Sequence, residues 1–183
     1  MPFDVVFALN RYFETVGTAI QRAGGIADQF TGDGGMALFG IDAAPQEACR
    51  RAVLAAAAMV DGVEALGRQL AAELPAPLRP GIGIHAGPAV VGEMGFGAAS
   101  YPTAVGDTVN TAARPAQLTK TYGCELVIPE PAAAREAVDV PASPRHEAAL
   151  RNRAEPLAVR AVDDARGLAA RLPGPPGGRA GED

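Results

Sequence analysis

A long amphipathic segment bounded by prolines constrains the fold of this chain more than any other part of its sequence. Pro45 suits the first turn of a helix, and Pro75 and Pro77 stop it. Between these prolines, apolar side chains recur at helical spacing, at Ala52, Ala56, Met59, Val63, Leu66 and Leu70. The segment therefore predicts a long helix with one apolar stripe, which has to pack against another layer of structure.

Other helices are predicted on either side of this segment. Apolar residues from Val6 to Ile20 recur at steps of three and four, and Gly24-Gly25 ends their helix. Gly106-Asp107 turns the chain into another helix, which runs from Thr108 to about Tyr122. A short helix is expected over 132–138.

Short apolar runs next to glycine predict the strands. The run from Ile26 to Gly40 is interpreted as a hairpin, because Asp33-Gly34 tolerates the positive φ angles of a tight turn. Arg79 to Val91 is interpreted as a second hairpin, in which glycines within strands indicate the close approach of another backbone or of a ligand. Single strands are expected over 101–105, 124–128 and 156–162. The element order predicts an α+β fold with helices packed on a mainly antiparallel sheet.

Composition narrows the class of protein. The chain has 183 residues, 48% of them hydrophobic and 20% charged, with a net charge of -5. These values suit a globular domain and do not favour a nucleic-acid-binding protein, which would usually be basic. Cys49 and Cys124 are too few for a disulfide framework and are interpreted as packing residues of a helix and a strand. We expect one domain over 1–163 and a disordered tail, rich in Pro and Gly, over 164–183.

No segment is expected to cross a membrane or to direct secretion. The most apolar run, over 52–60, is too short for a bilayer and is followed at once by Asp61. The N-terminus has no basic region and carries Asp4 and Glu14 among its apolar residues, unlike a signal peptide. We therefore expect a soluble, cytoplasmic protein.

Three segments carry the candidate chemistry. The first, TGDGG over 31–35, is by itself most often an ordinary hairpin turn. The second, over 81–95, is GIGIHAGPAVVGEMG, and the third, over 101–114, is YPTAVGDTVNTAAR. In their order and spacing, the three together resemble the catalytic domain of class III adenylate and guanylate cyclases, from about Pro2 to about Val162.

The resemblance implies a ferredoxin-like cyclase fold, head-to-tail dimers with nucleotide sites at the interface, and conversion of a nucleoside triphosphate to the 3′,5′-cyclic monophosphate and pyrophosphate. Two divalent metals, Mg²⁺ or Mn²⁺, would activate the ribose 3′-hydroxyl and hold both ends of the displacement, so paired carboxylates are needed. By resemblance, Asp33 matches one carboxylate of the pair.

By the same resemblance, Asn110 and Arg114 match the transition-state residues of the family. Asn110 would orient the ribose, and the guanidinium of Arg114 would stabilise charge on the transferring phosphate. Four residues apart, they share one face of the predicted helix. Without the resemblance, Asn110 would be a helix cap or a surface residue and Arg114 a solvated side chain.

Substrate selection in the family depends on positions matched here by Gln29 and Thr103. Gln29 stands where adenylate cyclases usually have lysine and guanylate cyclases tend to have glutamate, and its amide could face either purine. The alternative for Gln29 is a polar residue on the open face of a strand. Thr103 favours ATP. Arg151 is the nearest match to the triphosphate-binding base, with Arg153 as second choice, and a solvated turn is the alternative for both.

The sequence departs from the family pattern at two places. Class III domains open with a strand and loop that supply the other metal-binding Asp, and this sequence starts after that point. We therefore expect an N-terminally truncated domain, with one metal ligand missing, weak metal binding by Asp33 alone, and unpaired backbone groups where the strand would lie. Pro115 is expected to kink its helix and misdirect Arg114.

Two functions follow from the resemblance. One is a cyclase that is active as a homodimer. The other is a catalytically deficient, cyclase-like module that forms a heterodimer with a complete cyclase and supplies Asn110 and Arg114. An unrelated α+β binding domain is a third interpretation. His85 and His146 have no paired ligand at useful spacing, which favours structural or solvated roles for both.

Overall fold

The computed structural model describes residues 2–32, 34–74, 76–96, 99–130, 133, 140, 143–148 and 156–173. The helices in these ranges are α1 (Pro2–Arg22), α2 (Pro45–Gln69), α3 (Asp107–Tyr122) and α4 (Ala165–Ala170). The strands are β1 (Ile26–Thr31), β2 (Gly34–Leu38), β3 (Ile82–Gly83), β4 (Val90–Phe96), β5 (Ala99–Val105), β6 (Leu126–Pro129), β7 (Arg145–Ala148) and β8 (Leu157–Val162).

The described strands form three groups. β1 pairs with β2, and β4 pairs with β5, each as an antiparallel hairpin. The remaining strands form a four-stranded sheet in the order β3-β6-β8-β7. Within it, only the β3–β6 pair is parallel. The α+β prediction with mainly antiparallel pairing is therefore confirmed.

The apolar stripe of α2 is the centre of the packing. Its stripe residues Ala56 and Val63 are almost completely buried. One part of α2 packs with β6 and α4, and another part packs with Val16 and Ile20 of α1. The long amphipathic helix predicted from the prolines is confirmed, because a sheet and two helices cover its apolar face.

The second hairpin predicted from the sequence is wrong. The glycine-rich segment forms the short strand β3, in which Ile82 pairs with Leu126 in parallel, while β4 pairs with the following strand β5. A parallel pair requires a long crossover, and here the crossover includes β4, β5 and α3. Local turn signals carry no information about such a distant partner.

The glycines of β3 have the close neighbour that the sequence predicted. An added Cβ at Gly83 would lie 2.9 Å from Cβ of Pro115 and 3.0 Å from the carbonyl oxygen of Ala112, both in α3. Gly83 therefore allows the backbone of α3 to rest directly on β3.

The disordered tail predicted over 164–183 does not start at residue 164, because the helix α4 follows there. Ala165 and Leu168 of α4 are completely buried against the core around α2. The carboxylate of Asp164 caps α4 by accepting a backbone N–H at 2.8 Å. The helix has only six residues, too few for a clear apolar periodicity. Residues 174–183 and most of the helix predicted over 132–138 lie outside the described residues.

No helix in the described ranges is long and apolar enough to span a membrane.

Candidate functional site

The β1–β2 hairpin presents the first group of candidate residues. Its strands pair up to Thr31 and Gly34, and Gly32 adopts a φ of 62°. Such a positive φ is available to glycine at little cost, which explains the turn at this point. Gln29 lies on β1 and is exposed, as a residue that contacts a ligand has to be. Asp33, the candidate metal ligand, lies outside the described residues.

A β-bulge interrupts β1 directly before Gln29. Ala27 pairs with Ala37 and Gln29 pairs with Met36, so Asp28 is an extra residue between two consecutive pairs. A bulge of this kind bends a strand and redirects its side chains. The orientation of Gln29 therefore depends on the bulge at Asp28.

Thr103 lies on β5 and contacts this bulge. Its hydroxyl donates a hydrogen bond of 2.6 Å to Oδ2 of Asp28, and Thr103 is only 5% exposed. The other carboxylate oxygen of Asp28, Oδ1, is buried, and no described group donates to it. The structure thus brings Thr103 against the residue next to Gln29.

The second group of candidates lies on α3, which follows β5 after one glycine. Gly106 has a φ of 142° and precedes the first helical residue, Asp107. Asn110 is exposed and Arg114 is half-buried. Because they are four residues apart in a continuous helix, the two side chains share one face, as predicted.

The start of α3 is held in place by a neighbouring loop. The hydroxyl of Thr108 donates a hydrogen bond of 2.5 Å to the carbonyl oxygen of Pro88. The helix also continues past Pro115, which is buried, and ends at Gly123 in the left-handed conformation with a φ of 67°. The helix is therefore not terminated at the proline that follows Arg114.

The described residues enclose a large cleft. It has a volume of about 1990 Å³ and is lined by β2, by α2, by the chain around β3 and by one face of α3. Ligand pockets for small molecules usually have about 300–1,000 Å³, so this cleft is too large to enclose a single small ligand. Among the described candidates, neither Gln29, Thr103, Asn110 nor Arg114 lines it. The cleft therefore does not by itself define a nucleotide pocket.

Three apolar side chains on one face of the β4–β5 hairpin are exposed. Val90 pairs with Val105, and Met94 lies on the same face of β4 as Val90 because four residues separate them. Val90 is 71% exposed, Met94 50% and Val105 46%. Gly92 and the buried Thr103 form the pair between them on this face, so the three exposed side chains do not make one continuous apolar patch.

The described residues do not complete a metal site. They contain no group of three or more His, Cys, Asp or Glu side chains that could hold a metal ion. Asp33 lies outside the described residues, and so do Arg151 and Arg153, the candidates for triphosphate binding. A divalent metal site would therefore need Asp33 and further ligands from outside the described side chains.

The remaining titratable candidates have structural surroundings. His146 stacks on Tyr122 with ring centroids 4.0 Å apart, consistent with a structural role. Cys49 and Cys124 are buried and free of disulfides, which confirms the predicted packing roles. Burial also raises the pKa of the Cys124 thiol, so this side chain is a poor nucleophile.

A cluster of ion pairs lies near the start of α2. Glu47 accepts hydrogen bonds from Arg50 at 2.7 Å and from Arg51 at 2.9 Å. The hydrogen bond from Arg50, followed in size by the one from Arg51, lowers the pKa of Glu47 to about 2. This cluster lies in the first two turns of α2 and stabilises the helix start.

Asp28 is the functional candidate that sequence reasoning missed. It carries no motif of its own, and a bulge leaves no mark in the alternation of apolar and polar residues. The bulge in β1 and the contact with Thr103, 75 positions later in the sequence, distinguish it from an ordinary strand residue.

Sequence comparisons find curated relatives over most of this chain. It is 37% identical over 129 residues to a protein named adenylate cyclase from Anabaena cylindrica, covering 70% of this chain and 26% of that protein. It is 35% identical over 127 residues to adenylate cyclase 1 of Rhizobium meliloti (strain 1021), covering 69% and 19%. The chain thus spans about a quarter or less of the length of these relatives. No family model matches it.

Structural comparisons find the same fold in solved structures. The guanylyl cyclase Cya2 superposes with a TM-score of 0.76 and 28% identity, covering 88% of this chain and 81% of that chain. The adenylyl cyclase CyaB from P. aeruginosa superposes with a TM-score of 0.71 and 24% identity, covering 89% and 84%. The second likeness, at its lower identity, bears on the fold alone.

Proposed function

The chain belongs to the catalytic domains of class III nucleotide cyclases, and from this premise we propose that it converts ATP to 3′,5′-cyclic AMP and pyrophosphate. The observation that carries the proposal is the pair Asn110 and Arg114, one turn apart on a single face of α3. A cyclase needs these residue types at this spacing, because one orients the ribose while the other meets the charge that develops on phosphate.

The reaction forms one bond and breaks one bond at the α-phosphorus. The ribose 3′-hydroxyl gives up its proton to water, its oxygen attacks the α-phosphorus, and the bond from that phosphorus to the bridging oxygen of pyrophosphate breaks. Asn110 holds the ribose so that the 3′-oxygen is in line with the leaving group. Arg114 stabilises the negative charge on the transferring phosphate with its planar, positively charged guanidinium.

A divalent metal, Mg²⁺ or Mn²⁺, is proposed to bind at Asp33 and the triphosphate. When bound, it would lower the pKa of the 3′-hydroxyl and neutralise charge on pyrophosphate. Arg151 is proposed to bind the triphosphate, and Gln29 to bind the purine base. ATP is proposed as the preferred substrate over GTP because of Thr103.

A second chain is proposed to complete the site. The exposed apolar side chains of the β4–β5 hairpin support this, since Val90, Met94 and Val105 would lose their contact with water on pairing. Burial of such side chains contributes about 25 cal/mol per Å² of apolar surface, which favours a stable partner. The partner is either a second copy of this chain or another cyclase domain.

The test is product formation by the purified chain with ATP, and separately with GTP, in excess Mn²⁺, followed by chromatography. Arg114→Ala is expected to lower product formation about 100-fold. Lys120→Ala is a matched control, because it removes a cation from the exposed end of the same helix. Product from the wild type that Arg114→Ala leaves unchanged would contradict the assigned role of Arg114.

Mixing separates this function from that of a module that serves another cyclase. The partner in the mixture is a complete cyclase domain whose own transition-state arginine has been replaced, so that it is inactive alone. Activity only in the mixture, lost with Arg114→Ala in this chain, would identify the supporting module. No product alone and none in the mixture would contradict both forms of the proposal.

A further inference from the structure

We propose that Asp28 is a positioning residue for purine selection, and that the hydrogen bond from Thr103 to Asp28 orients Gln29 by holding the bulge in β1. The inference rests on the proposed function, and it explains how the choice between ATP and GTP is determined. It gives a role to Asp28, and it makes the role of Thr103 indirect.

The bulge decides which face of β1 carries Gln29. Side chains alternate between the two faces of a strand, so a shift of one residue in the pairing moves every side chain to the opposite face. Asp28 is the extra residue between the pairs Ala27–Ala37 and Gln29–Met36. If β1 paired regularly with β2 instead, Gln29 would present its amide on the other side of the hairpin.

The contact with Thr103 is the feature that holds this bulge. It joins β1 to β5, a strand of a different sheet, through a hydroxyl-to-carboxylate hydrogen bond of 2.6 Å. Hydrogen bonds to a charged acceptor are shorter and stronger than those between neutral groups. No described group donates to Oδ1 of Asp28, so loss of the Thr103 hydroxyl would leave a partly buried carboxylate with no described side-chain donor.

The burial of Thr103 favours an indirect role over direct contact with a base. The residue is 5% exposed, and its single hydroxyl proton is used in the bond to Asp28. Gln29, in contrast, is exposed and lies next to the bulge. A base would therefore meet the amide of Gln29, while Thr103 and Asp28 determine where that amide points.

A double-mutant cycle tests this coupling in the full chain. The variants are Asp28→Ala, Thr103→Val and the double variant, and the readout is the ratio of the dissociation constants for non-cyclisable analogues of ATP and GTP in Mn²⁺. If the two residues act as one unit, all three variants shift the ratio by the same factor. That factor is expected to be about twofold to tenfold, the usual effect of one hydrogen bond.

Conservative variants and a matched control make the result specific. Thr103→Ser keeps the hydroxyl and is expected to keep the wild-type ratio. Thr119→Val removes another buried hydroxyl, one that donates to the carbonyl oxygen of Ala116 at 2.6 Å, and is expected to lower stability without changing the ratio. If Asp28→Ala does not fold, as judged by circular dichroism, Asp28→Leu replaces it in the cycle because leucine fills the same space.

The outcomes distinguish this inference from the function on which it rests. If the wild type binds both analogues and the ratio stays unchanged in the variants, the coupling is wrong while the function stands. The coupling is also wrong if Thr103→Val shifts the ratio and Asp28→Ala does not, or if the two factors multiply in the double variant. If the wild type binds neither analogue, the proposed function fails and this inference fails with it.

Discussion

Gly83→Ala is expected to destabilise the chain by pushing α3 away from β3. The new Cβ would lie 2.9 Å from Cβ of Pro115 and 3.0 Å from the carbonyl oxygen of Ala112, and closer still to the backbone nitrogen of Ala116. Two of these three atoms belong to the backbone of α3, which cannot rotate out of the way as a flexible side chain could. The helix as a whole has to move.

The expected magnitude follows from two opposing terms. Inserting a methyl group into a tightly packed contact costs about 1–3 kcal/mol. Replacing glycine by alanine also restricts the unfolded chain, which returns about 0.4–1 kcal/mol. The net loss is about 1–2 kcal/mol in the free energy of unfolding at Gly83, or a melting temperature lower by about 2–8 °C for a chain of this size.

The assay is urea and thermal unfolding followed by circular dichroism, with Gly92→Ala as control. Gly92 lies in β4, and an added Cβ there would meet no atom within 4 Å. The control is expected to be as stable as the wild type or slightly more stable. Because α3 carries Asn110 and Arg114, Gly83→Ala is also expected to weaken nucleotide turnover. Equal stability of the two alanine variants would refute the proposed contact between α3 and β3.

Further predictions concern the site and a surface ion pair. Asn110→Ala and Arg114→Ala are each expected to lower turnover about 100-fold. The melting temperature is expected to change little, because neither side chain is fully buried. Unchanged rates would exclude the assigned roles. Asp33→Ala is expected to abolish Mn²⁺-dependent product, and full activity of this variant would sink the metal assignment. Glu47→Gln is expected to lower the urea midpoint at pH 7 but not at pH 2. The folded-state pKa of Glu47 lies at about 2, below the ordinary 4.5, so its stabilising effect is complete above pH 4.5 and is lost as the pH falls towards 2. An equal loss at both pH values, or the same pH dependence in the control Glu73→Gln, would contradict this prediction.

The candidate site shows where sequence reasoning succeeds and where it stops. The shared face of Asn110 and Arg114 was predictable, because positions four apart in a helix always lie on one side. Gln29 is exposed, as expected for a polar residue on the open face of a strand. The burial of Thr103 was not predictable, because its partner Asp28 lies 75 positions away and in another sheet. The resemblance to the cyclase family named the positions that matter, but it contained no information on how one supports another.

The sequence alone determined the elements whose signal is local. The stripe of α2, the helix α3 and the hairpin β1–β2 follow from spacing and turn chemistry over a few residues, and the structure confirms them. The predicted turn position is wrong in one respect, because the positive φ lies at Gly32, whereas Gly34 is already paired in β2. Pairing between distant segments followed from tertiary packing. β3 pairs in parallel with β6, and α4 exists because Ala165 and Leu168 fill the core around α2. The reason is physical, since a short segment gains its stability from the surface it covers, and that surface is assembled only when distant parts of the chain meet.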